Sequence, residues 1–517
     1  MHRSPFLIGL LTITLLLAGC TTDAPVQSDT PAVATAEPPH GLQARAWLIR
    51  DPARLAAQLD PGIALAELPR PAPAAPAAPA AQIANTMAVV SGTVSTEEQA
   101  PMPTPWLVVL PAAGAPALTQ VLAAAPAALI PAPAASDAQT AWAQPIPAWT
   151  ELGMDAIARS QLTPNRAARD LATLSVAFND SYFVMDTARD QKIEVSEDAL
   201  LAAVGQYTLL YLHPSDDVAW QQAYRVAVWM GAWNKHDSAQ AVANGIQLGK
   251  AVAAAVLDRV RDDGATAPQT FDWPESIIPP GQPIPVSPVD RWRPTLPGLL
   301  IDPLWGKVRL IGLSSADGLT APAPPNWDAA AFADTRTAFA AAQHALTDEQ
   351  RQIARKWAAP GTRTVAGLWF TVARVLAADA HLDHRATAQV YAAVGVTLHN
   401  AFVVSWADAY HYLVPRPANW MRASAPDWSP VVQAPSLPSY PSDDAVTSYA
   451  IADVLTAFFP AQKPQITAAA DEAARAQVYA GLHWQIDTDA GADQGHRVGQ
   501  AMLTLMRSSM ASLNRFV

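Results

Sequence analysis

Apolar side chains recur at spacings of three and four along most of the chain after residue 160, which is the pattern of helices with one buried face. Two predicted helix starts carry capping residues, one at Ser196 and one at Thr347 with Asp348 and Glu349. Few β-branched runs interrupt this region, so the predicted fold class is all-α. Helices are predicted at 163–187, 196–212, 216–231, 239–261, 328–345, from 347, and at 383–413, 443–459, 463–482 and 489–511.

The part of the chain before residue 140 lacks this periodicity. Alanine and proline alternate there in clusters such as 69–76 and 124–134. Proline-rich runs are stiff and extended, and they do not pack a core. The sequence therefore predicts a tether and linker over 20–140 and a helical domain over 150–517. The Pro- and Trp-rich stretch 267–327 is expected to be an ordered connecting loop.

Residues 1–19 have the features of a lipoprotein signal peptide. A weakly positive start precedes an apolar segment at 6–17, which is too short to span a membrane, and Cys20 follows soon after it. Leu-Ala-Gly before Cys20 resembles a lipobox, so we expect cleavage before this cysteine and a lipid on its thiol. Because Thr21 rather than aspartate follows, the predicted location is the outer membrane, facing the periplasm.

The charge of the chain excludes several classes of partner. The formal net charge is −12 and the pI is near 5.3. An acidic protein gains nothing from the release of phosphate counterions, so no nucleic-acid partner is expected. The same sign argues against a polybasic membrane patch. No stretch after the signal peptide reaches the roughly 18 continuous apolar residues that a membrane span needs.

Three short motifs follow one another in the C-terminal quarter of the chain. Each combines residue types that can hold or attack a tetrahedral anion: arginine, a serine at a helix start, and histidine beside a carboxylate. In chain order they are Arg416-Pro417 with Ala409 seven residues before the arginine, Pro441-Ser442-Asp443-Asp444, and Gln477 followed by His483 and Asp487.

In this order the motifs resemble those of the vanadium-dependent haloperoxidase and type 2 phosphatidic acid phosphatase superfamily, in its soluble bacterial branch. Segments 305–308, 350–357 and 427–430 are similar to segments of haloperoxidase-like proteins at the same places, and the resemblance covers roughly residues 150–515. It implies a fold of two packed four-helix bundles, with a vanadate or phosphate site in one of them.

The resemblance also implies roles for the matching residues. Arg416, Ser442 and Gln477 would be anion ligands, with Ser442 as the N-cap of a helix. His483 would be the nucleophile or the vanadium ligand. Asp487 would orient its imidazole, provided that the two residues lie one turn apart on a single helix.

Four replacements relative to the family pattern reverse the charge of the implied site. Ala409 replaces lysine, Asp443 and Asp444 replace glycine and histidine, and Gln477 replaces a second arginine. At about 4 Å and an effective dielectric constant near 20, each charge pair is worth about 4 kcal/mol. The four replacements therefore oppose a multiply charged anion by on the order of ten kcal/mol, and a neutral donor at 477 recovers only about 1 kcal/mol. Vanadate, the cofactor that the resemblance implies, is not expected to bind in the family manner.

The two aspartates have three interpretations. Both suit the first turn of a helix, and one carboxylate can pair with Arg416 as an internal mimic of the anion. Alternatively, Asp444 replaces the family histidine in proton transfer. The third interpretation is a divalent-metal site that combines both aspartates with His483 and Asp487, although adjacent side chains on a helix diverge by about 100 degrees.

The preferred hypothesis is a lipid-anchored, divergent member of the superfamily that is inactive or repurposed as a binding or scaffold protein of the cell envelope. The alternative is an active haloperoxidase or phosphate-ester hydrolase that uses Arg416, Asp444 and His483. His411 and His496, which lie beside the motifs, are interpreted as ordinary surface or core histidines.

Overall fold

A computed structural model provides the structure of the protein. It describes residues 46–49, 51–57, 144–228, 235–267, 271, 292, 300–358, 364–425 and 427–507. Every regular element in these ranges is a helix, which confirms the all-α prediction. The predicted signal peptide 1–19, Cys20 and most of the predicted tether lie outside the described residues.

The helices are joined by loops and by short 3₁₀ turns at Pro214–Asp216, Trp305–Lys307 and Pro460–Gln462. In chain order the α-helices are α1 Pro52–Ala56, α2 Pro145–Ser160, α3 Pro164–Asp190, α4 Glu197–Leu212, α5 Asp217–Val228, α6 Ala239–Arg261, α7 Ala330–His344, α8 Asp348–Ala358, α9 Val365–Asp379, α10 His384–Tyr412, α11 Pro417–Ser424, α12 Asp443–Phe458, α13 Lys463–Tyr479 and α14 Gln485–Arg507.

Sequence periodicity located ten of these helices and missed α1, α2, α9 and α11. Helix α9 does carry a 3.6-residue period, with Ala366, Phe370 and Ala373 on its buried face, so its pattern was detectable in the sequence. Helix α2 starts at Pro145, directly after the Ala/Pro-rich stretch, and proline is well tolerated in the first turn of a helix. The helical domain therefore begins slightly before residue 150, the predicted boundary.

Two groups of helices pack around α10. Helix α3 packs against α4, α6 and α10, while α10 also packs against α9, α12 and α14. Helices α12, α13 and α14 contact one another, and α8 covers α13. The stretch His384–Met421 is long and apolar enough to span a membrane, but 94% of its apolar window is buried inside the protein. Its hydrophobicity is therefore that of a central core helix.

The two groups are built on the same local plan. Ser196 caps α4 and Ser442 caps α12, and the two backbone N–H groups donate to the carbonyl oxygens of Ala241 and Asp487, each at 2.9 Å. Helix α4 ends in a 3₁₀ turn that begins at Pro214, and α12 ends in one that begins at Pro460. The pair α4/α6 in the first group therefore corresponds to the pair α12/α14 in the second.

Glycines allow each of these helix pairs to approach closely. A Cβ atom at Gly249 of α6 would lie 2.5 Å from the carbonyl oxygen of Leu200, and one at Gly495 of α14 would lie 2.6 Å from that of Val446. Real Cβ contacts of this length do not occur, so only glycine permits the observed spacing. This packing fixes the start of α12 beside the start of α14, where the third motif lies.

A short segment within the predicted tether packs onto the helical domain. Trp47 and Ile49 are buried, and α1 contacts both α3 and α6. Residues 46–49 and 51–57 are thus an exception to the tether prediction for 20–140. The Ala- and Pro-rich composition of the neighbouring sequence did not indicate that this segment packs on the domain.

Candidate functional site

The loop between α10 and α12 brings Arg416 into the interior. Arg416 is the N-cap of α11 and is only 1% exposed. Its Nε donates to the carbonyl oxygen of Leu437 at 2.5 Å, and Nη2 donates to that of Pro438 at 3.2 Å. Nη1 donates to the carbonyl oxygen of Leu482 at 3.0 Å and to Nε2 of His483 at 3.0 Å. Four of the five guanidinium N–H groups are therefore bonded within the protein.

The hydrogen bonds of His483 define its protonation state. Nδ1 lies 2.7 Å from the carbonyl oxygen of Ser439, which is only an acceptor, so Nδ1 carries the proton. Nε2 faces a donor of Arg416 at 3.0 Å, so it is unprotonated. Burial and the positive charge of Arg416 lower the pKa of His483 well below its usual value. The imidazole is thus neutral, and its lone pair points at arginine.

Asp487 is fully buried behind this histidine. Its Oδ2 accepts hydrogen bonds from Oγ of Ser439 at 2.5 Å and from the backbone N–H of Trp484 at 2.8 Å. Burial raises the pKa of Asp487 to about 8, although both hydrogen bonds oppose the shift. Oδ2 is 3.5 Å from Nδ1 of His483, farther than the carbonyl oxygen of Ser439.

This geometry changes the role expected for Asp487. Helix α14 begins at Gln485, so His483 precedes the helix and does not share it with Asp487. The carbonyl group of Ser439 orients the imidazole directly. Asp487 positions Ser439 through its hydroxyl group, and therefore acts one residue farther from the histidine than the sequence suggested.

Ser442 is the N-cap of α12, as predicted, and the two aspartates that follow it contact different residues. Ser442 is buried and its hydroxyl accepts from the backbone N–H of Ala445 at 3.4 Å. Asp443 Oδ1 is 3.6 Å from Nε2 of His483, and its side chain is 13% exposed. Asp444 Oδ2 accepts from Nε2 of Gln477 at 2.5 Å.

Neither aspartate forms a hydrogen bond or an ion pair with Arg416 among the described contacts, so the direct carboxylate–arginine mimic is not observed. Burial raises the pKa of Asp443, and Arg416 partly offsets this rise. Burial and the neighbouring charge of Asp443 raise the pKa of Asp444 well above its usual value. Burial therefore shifts both carboxyl groups towards their neutral forms.

The remaining predicted residues lie in different surroundings. Ala409 is buried in α10, so the lysine position holds a methyl group. His411 is exposed near the end of α10. His496 is half exposed and lies 3.1 Å from Asp453. Gln477 is buried, but its amide bonds to Asp444 and therefore serves a carboxylate.

Several contributing groups could not be read from the sequence. Ser439 and the carbonyl groups of Leu437 and Pro438 lie in a loop without periodicity, and they converge on Arg416 and His483 only after folding. Their only sequence signal is proximity to the Pro441-Ser442 motif. Backbone carbonyls carry no residue identity, so a motif search cannot find them.

The metal interpretation gains no support from these positions. Within the described part of the chain, no group of three or more His, Cys, Asp or Glu side chains is placed to hold a metal ion. Both ring nitrogens of His483 are engaged, one with Ser439 and one with Arg416. The imidazole therefore offers no free lone pair to a cation in this arrangement.

Comparison with solved structures identifies the fold. A structure described as the first bacterial vanadium-dependent iodoperoxidase matches with a TM-score of 0.59 and 22% identity, over 70% of this chain and 95% of that chain. Holo and apo forms of a bacterial vanadium-dependent chloroperoxidase each match with a TM-score of 0.51 and 12% identity. They cover 67% and 66% of this chain and 93% and 92% of theirs. No protein-family model and no curated protein matches the chain.

The chain therefore has the all-α fold of the vanadium-dependent haloperoxidases. The resemblance drawn from the three motifs is confirmed at the level of the fold.

Proposed function

We propose that the protein is a lipid-anchored, divergent relative of the haloperoxidases whose buried site does not bind vanadate and which serves as a binding or scaffold protein of the cell envelope. The observation that carries this proposal is that Arg416 and His483 bond to each other and to backbone carbonyls. A bound oxyanion needs those same N–H groups and that same imidazole lone pair.

The available donors do not fit a vanadate group. One N–H of Arg416 remains, and the amide of Gln477 is bonded to Asp444. The backbone N–H of Ser442 donates to the carbonyl oxygen of Asp487, so it is not available at the helix start. An oxyanion would have to break several buried hydrogen bonds, each of which costs about 1–3 kcal/mol when its partner is left unsatisfied.

The charge of the site opposes an anion as well. Among the described residues, Arg416 is the cation that acts on Asp443, Asp444 and Asp487. If the carboxyl groups are neutral they present no attraction, and if they are ionised they repel the anion. Either state leaves Arg416 alone to balance a multiply charged ligand.

The lipid anchor is supported by the sequence at Cys20, which lies outside the described residues. Labelling of cells with a radioactive or clickable fatty acid tests it. The wild-type chain should incorporate the label and Cys20→Ser should not. Incorporation by the serine variant would contradict lipidation at this position.

Calorimetry with vanadate and with phosphate, beside halide-oxidation and phosphatase assays, tests the site. We expect no binding heat and no turnover from the wild-type chain. Tight vanadate binding that His483→Ala abolishes would overturn the proposal.

A combined variant provides the matched positive control. Ala409→Lys, Asp443→Gly, Asp444→His and Gln477→Arg together restore the family pattern at all four departures. If this variant folds and binds vanadate while the wild-type chain does not, the four replacements account for the loss. Equal binding by both chains would contradict the argument from charge.

One observation favours an active enzyme instead. Burial and the neighbouring charge of Asp443 raise the pKa of Asp444 well above its usual value, which favours the protonated form that can donate a proton in the way that the family histidine does. In that case Arg416, Asp444 and His483 would carry halide oxidation or phosphate-ester hydrolysis. Turnover that is lost in Asp444→Asn, with an unchanged circular dichroism spectrum, would support this candidate over the inactive one.

A further inference from the structure

A buried carboxylate in the middle of α3 holds the segment that precedes α1. Asp180 is fully buried. Its Oδ1 accepts from the backbone N–H of Trp47 at 2.7 Å, and its Oδ2 accepts from those of Leu48 and Ile49 at 2.8 Å each. Asn179 also donates to Oδ1, at 3.0 Å. Three consecutive backbone donors thus converge on one carboxylate, and hydrogen bonds to an ionised acceptor are among the stronger ones.

The side chains of this segment are packed as core residues. Trp47 is 9% exposed, Ile49 is 5% exposed and Ala56 of α1 is fully buried. The ring of Trp47 lies over Gly312, where a Cβ atom would come within 3.2 Å of it. Gly312 has a positive φ of 78°, so the backbone conformation and the close approach both favour glycine here.

The segment is distant in sequence from everything that it contacts. Its bonds to Asp180 join residues more than 130 positions apart. Residues 58–143 separate it from α2, and the predicted lipid attachment site precedes it in the chain. The docked segment therefore divides the predicted tether into a part before residue 46 and a part after residue 57.

We propose that residues 46–49 and 51–57 form an intramolecular docking peptide, and that the surface formed by α3, α6 and the Gly312 turn is its binding site. Attachment of the helical domain to the N-terminal part of the chain then depends on this site and does not require an intact 58–143 segment. A cut within that segment leaves two fragments that stay bound. This inference is independent of vanadate chemistry and of the lipid on Cys20.

A site-specific cut tests the proposal in the full chain. A protease recognition sequence is inserted between residues 90 and 91, in a Cys20→Ser background, so that a shared detergent micelle cannot hold the fragments together. After cleavage, both fragments should elute together in gel filtration at micromolar concentration. Separation of the fragments of the otherwise unmodified chain would overturn the proposal.

Two variants locate the association at Asp180. Asp180→Asn removes the charged acceptor, and Leu48→Pro removes one donor without changing the helical domain. Each should raise the dissociation constant of the cut complex at least about tenfold, which corresponds to about 1.4 kcal/mol. Asp190→Asn, at the exposed end of the same helix, is the matched control and should leave the constant unchanged.

Hydrogen exchange gives a second measurement in the uncut chain. The amide groups of Trp47, Leu48 and Ile49 should be protected from exchange in the wild-type protein and should lose that protection in Asp180→Asn. If the fragments remain together equally well in both docking variants, the association has another origin and the assigned site is wrong. Leu48→Pro decides the question even if Asp180→Asn fails to fold.

Discussion

The helix pairs α4/α6 and α12/α14 share a scaffold, but the second has the buried pair Arg416 and His483 beside its start, whereas the first has the more exposed Lys235 and His384 there. Both pairs start at a capping serine, and both are brought together by glycines. At corresponding positions, however, Ala241 stands in the first pair where Asp487 stands in the second. Close helix packing is therefore a property of the scaffold and does not itself create the site.

The difference comes from the connections that enter the two pairs. In the first group, residues 191–196 join α3 directly to α4. In the second group, residues 413–442 join α10 to α12 and carry Arg416 and Ser439 into the interior. The longer connection supplies the cation and the carbonyl groups around which the site is organised.

The starts of α4 and α12 also show how partners decide the behaviour of a carboxyl group. Burial opposes ionisation of Glu197, but hydrogen bonds from His384 and from the hydroxyl group of Tyr182 outweigh it and lower its pKa to about 2. Asp443, at the corresponding position, is stabilised in its charged form by Arg416 and by the backbone N–H groups of Asp443 and Asp444, but burial outweighs them and raises its pKa.

The largest expected effect is on the free energy of unfolding, when a buried arginine and an exposed arginine are each replaced. Arg416→Met should destabilise the protein by about 4 kcal/mol, because it leaves three carbonyl groups and His483 without their donor in the interior. Arg261→Met is the control. Its ion pair with Asp258 is exposed, so its removal should cost less than about 1 kcal/mol. Chemical denaturation measures both, and equal costs would contradict the structural role of Arg416.

The next effect tests the shared scaffold. Gly249→Ala and Gly495→Ala should each cost about 3 kcal/mol, because each new methyl group meets a backbone carbonyl of the partner helix. Gly153→Ala is the control, since its Cβ would lie 3.3 Å from a flexible leucine side chain. Thermal or chemical unfolding measures the changes. A large cost in only one pair would show that the two pairs are not equivalent.

A pH titration of stability should separate the two helix starts. For Glu197, the folded pKa is below the unfolded value of about 4.3, so its contribution is present above that pH and is lost as the pH falls towards 2. Glu197→Gln should therefore destabilise the protein by about 2 kcal/mol near neutral pH, and the difference from wild type should vanish in acid.

Asp443→Asn should show the opposite dependence. The folded pKa of Asp443 is above the unfolded value of about 3.9, so the wild-type chain loses stability as the pH rises past 4. The free energy of unfolding of the variant should therefore increase relative to that of wild type as the pH rises above about 4. Parallel curves for the two variants would contradict the contrast between the two sites.

The smallest effect concerns the partners of the second acidic residue in each helix. Asp198 pairs with Lys235 at 2.7 Å, whereas Asp444 accepts from the neutral Gln477. Lys235→Gln gives Asp198 a neutral partner like the one that Asp444 has in Gln477. Because the side chain of Lys235 is 56% exposed, the expected change in the free energy of unfolding is below about 1 kcal/mol. A larger change would show that the ion pair between Lys235 and Asp198 contributes as a buried interaction and would contradict this expectation.

Much of the fold was accessible from the sequence because it depends on local rules. The starts of α4 and α12 were predicted at Ser196 and Ser442, which are both favoured N-cap residues, and both serines accept the expected backbone N–H. Helix α9 was missed although its buried residues recur at helical spacing. The docked segment at Trp47 was missed because its partner, Asp180, is far away in the chain.

The sequence named residues of the candidate site but did not predict their hydrogen-bond partners. Arg416, Ser442, His483 and Asp487, which the motifs name, are neighbours in the structure. The motifs did not reveal that backbone carbonyls would occupy Arg416 or that Ser439 would stand between Asp487 and the imidazole. Those contacts depend on the path of a loop, and a loop has no repeating pattern from which its path can be inferred.

By itself, the sequence determined the fold class, the starts of α4 and α12 and the acidic residues at the motif positions, because each follows from residue type and spacing. The tertiary structure decided which donor meets which acceptor. That distinction determines the chemistry of this site, because a guanidinium group committed to the protein's own carbonyls is not available to an anion, whatever motif it belongs to.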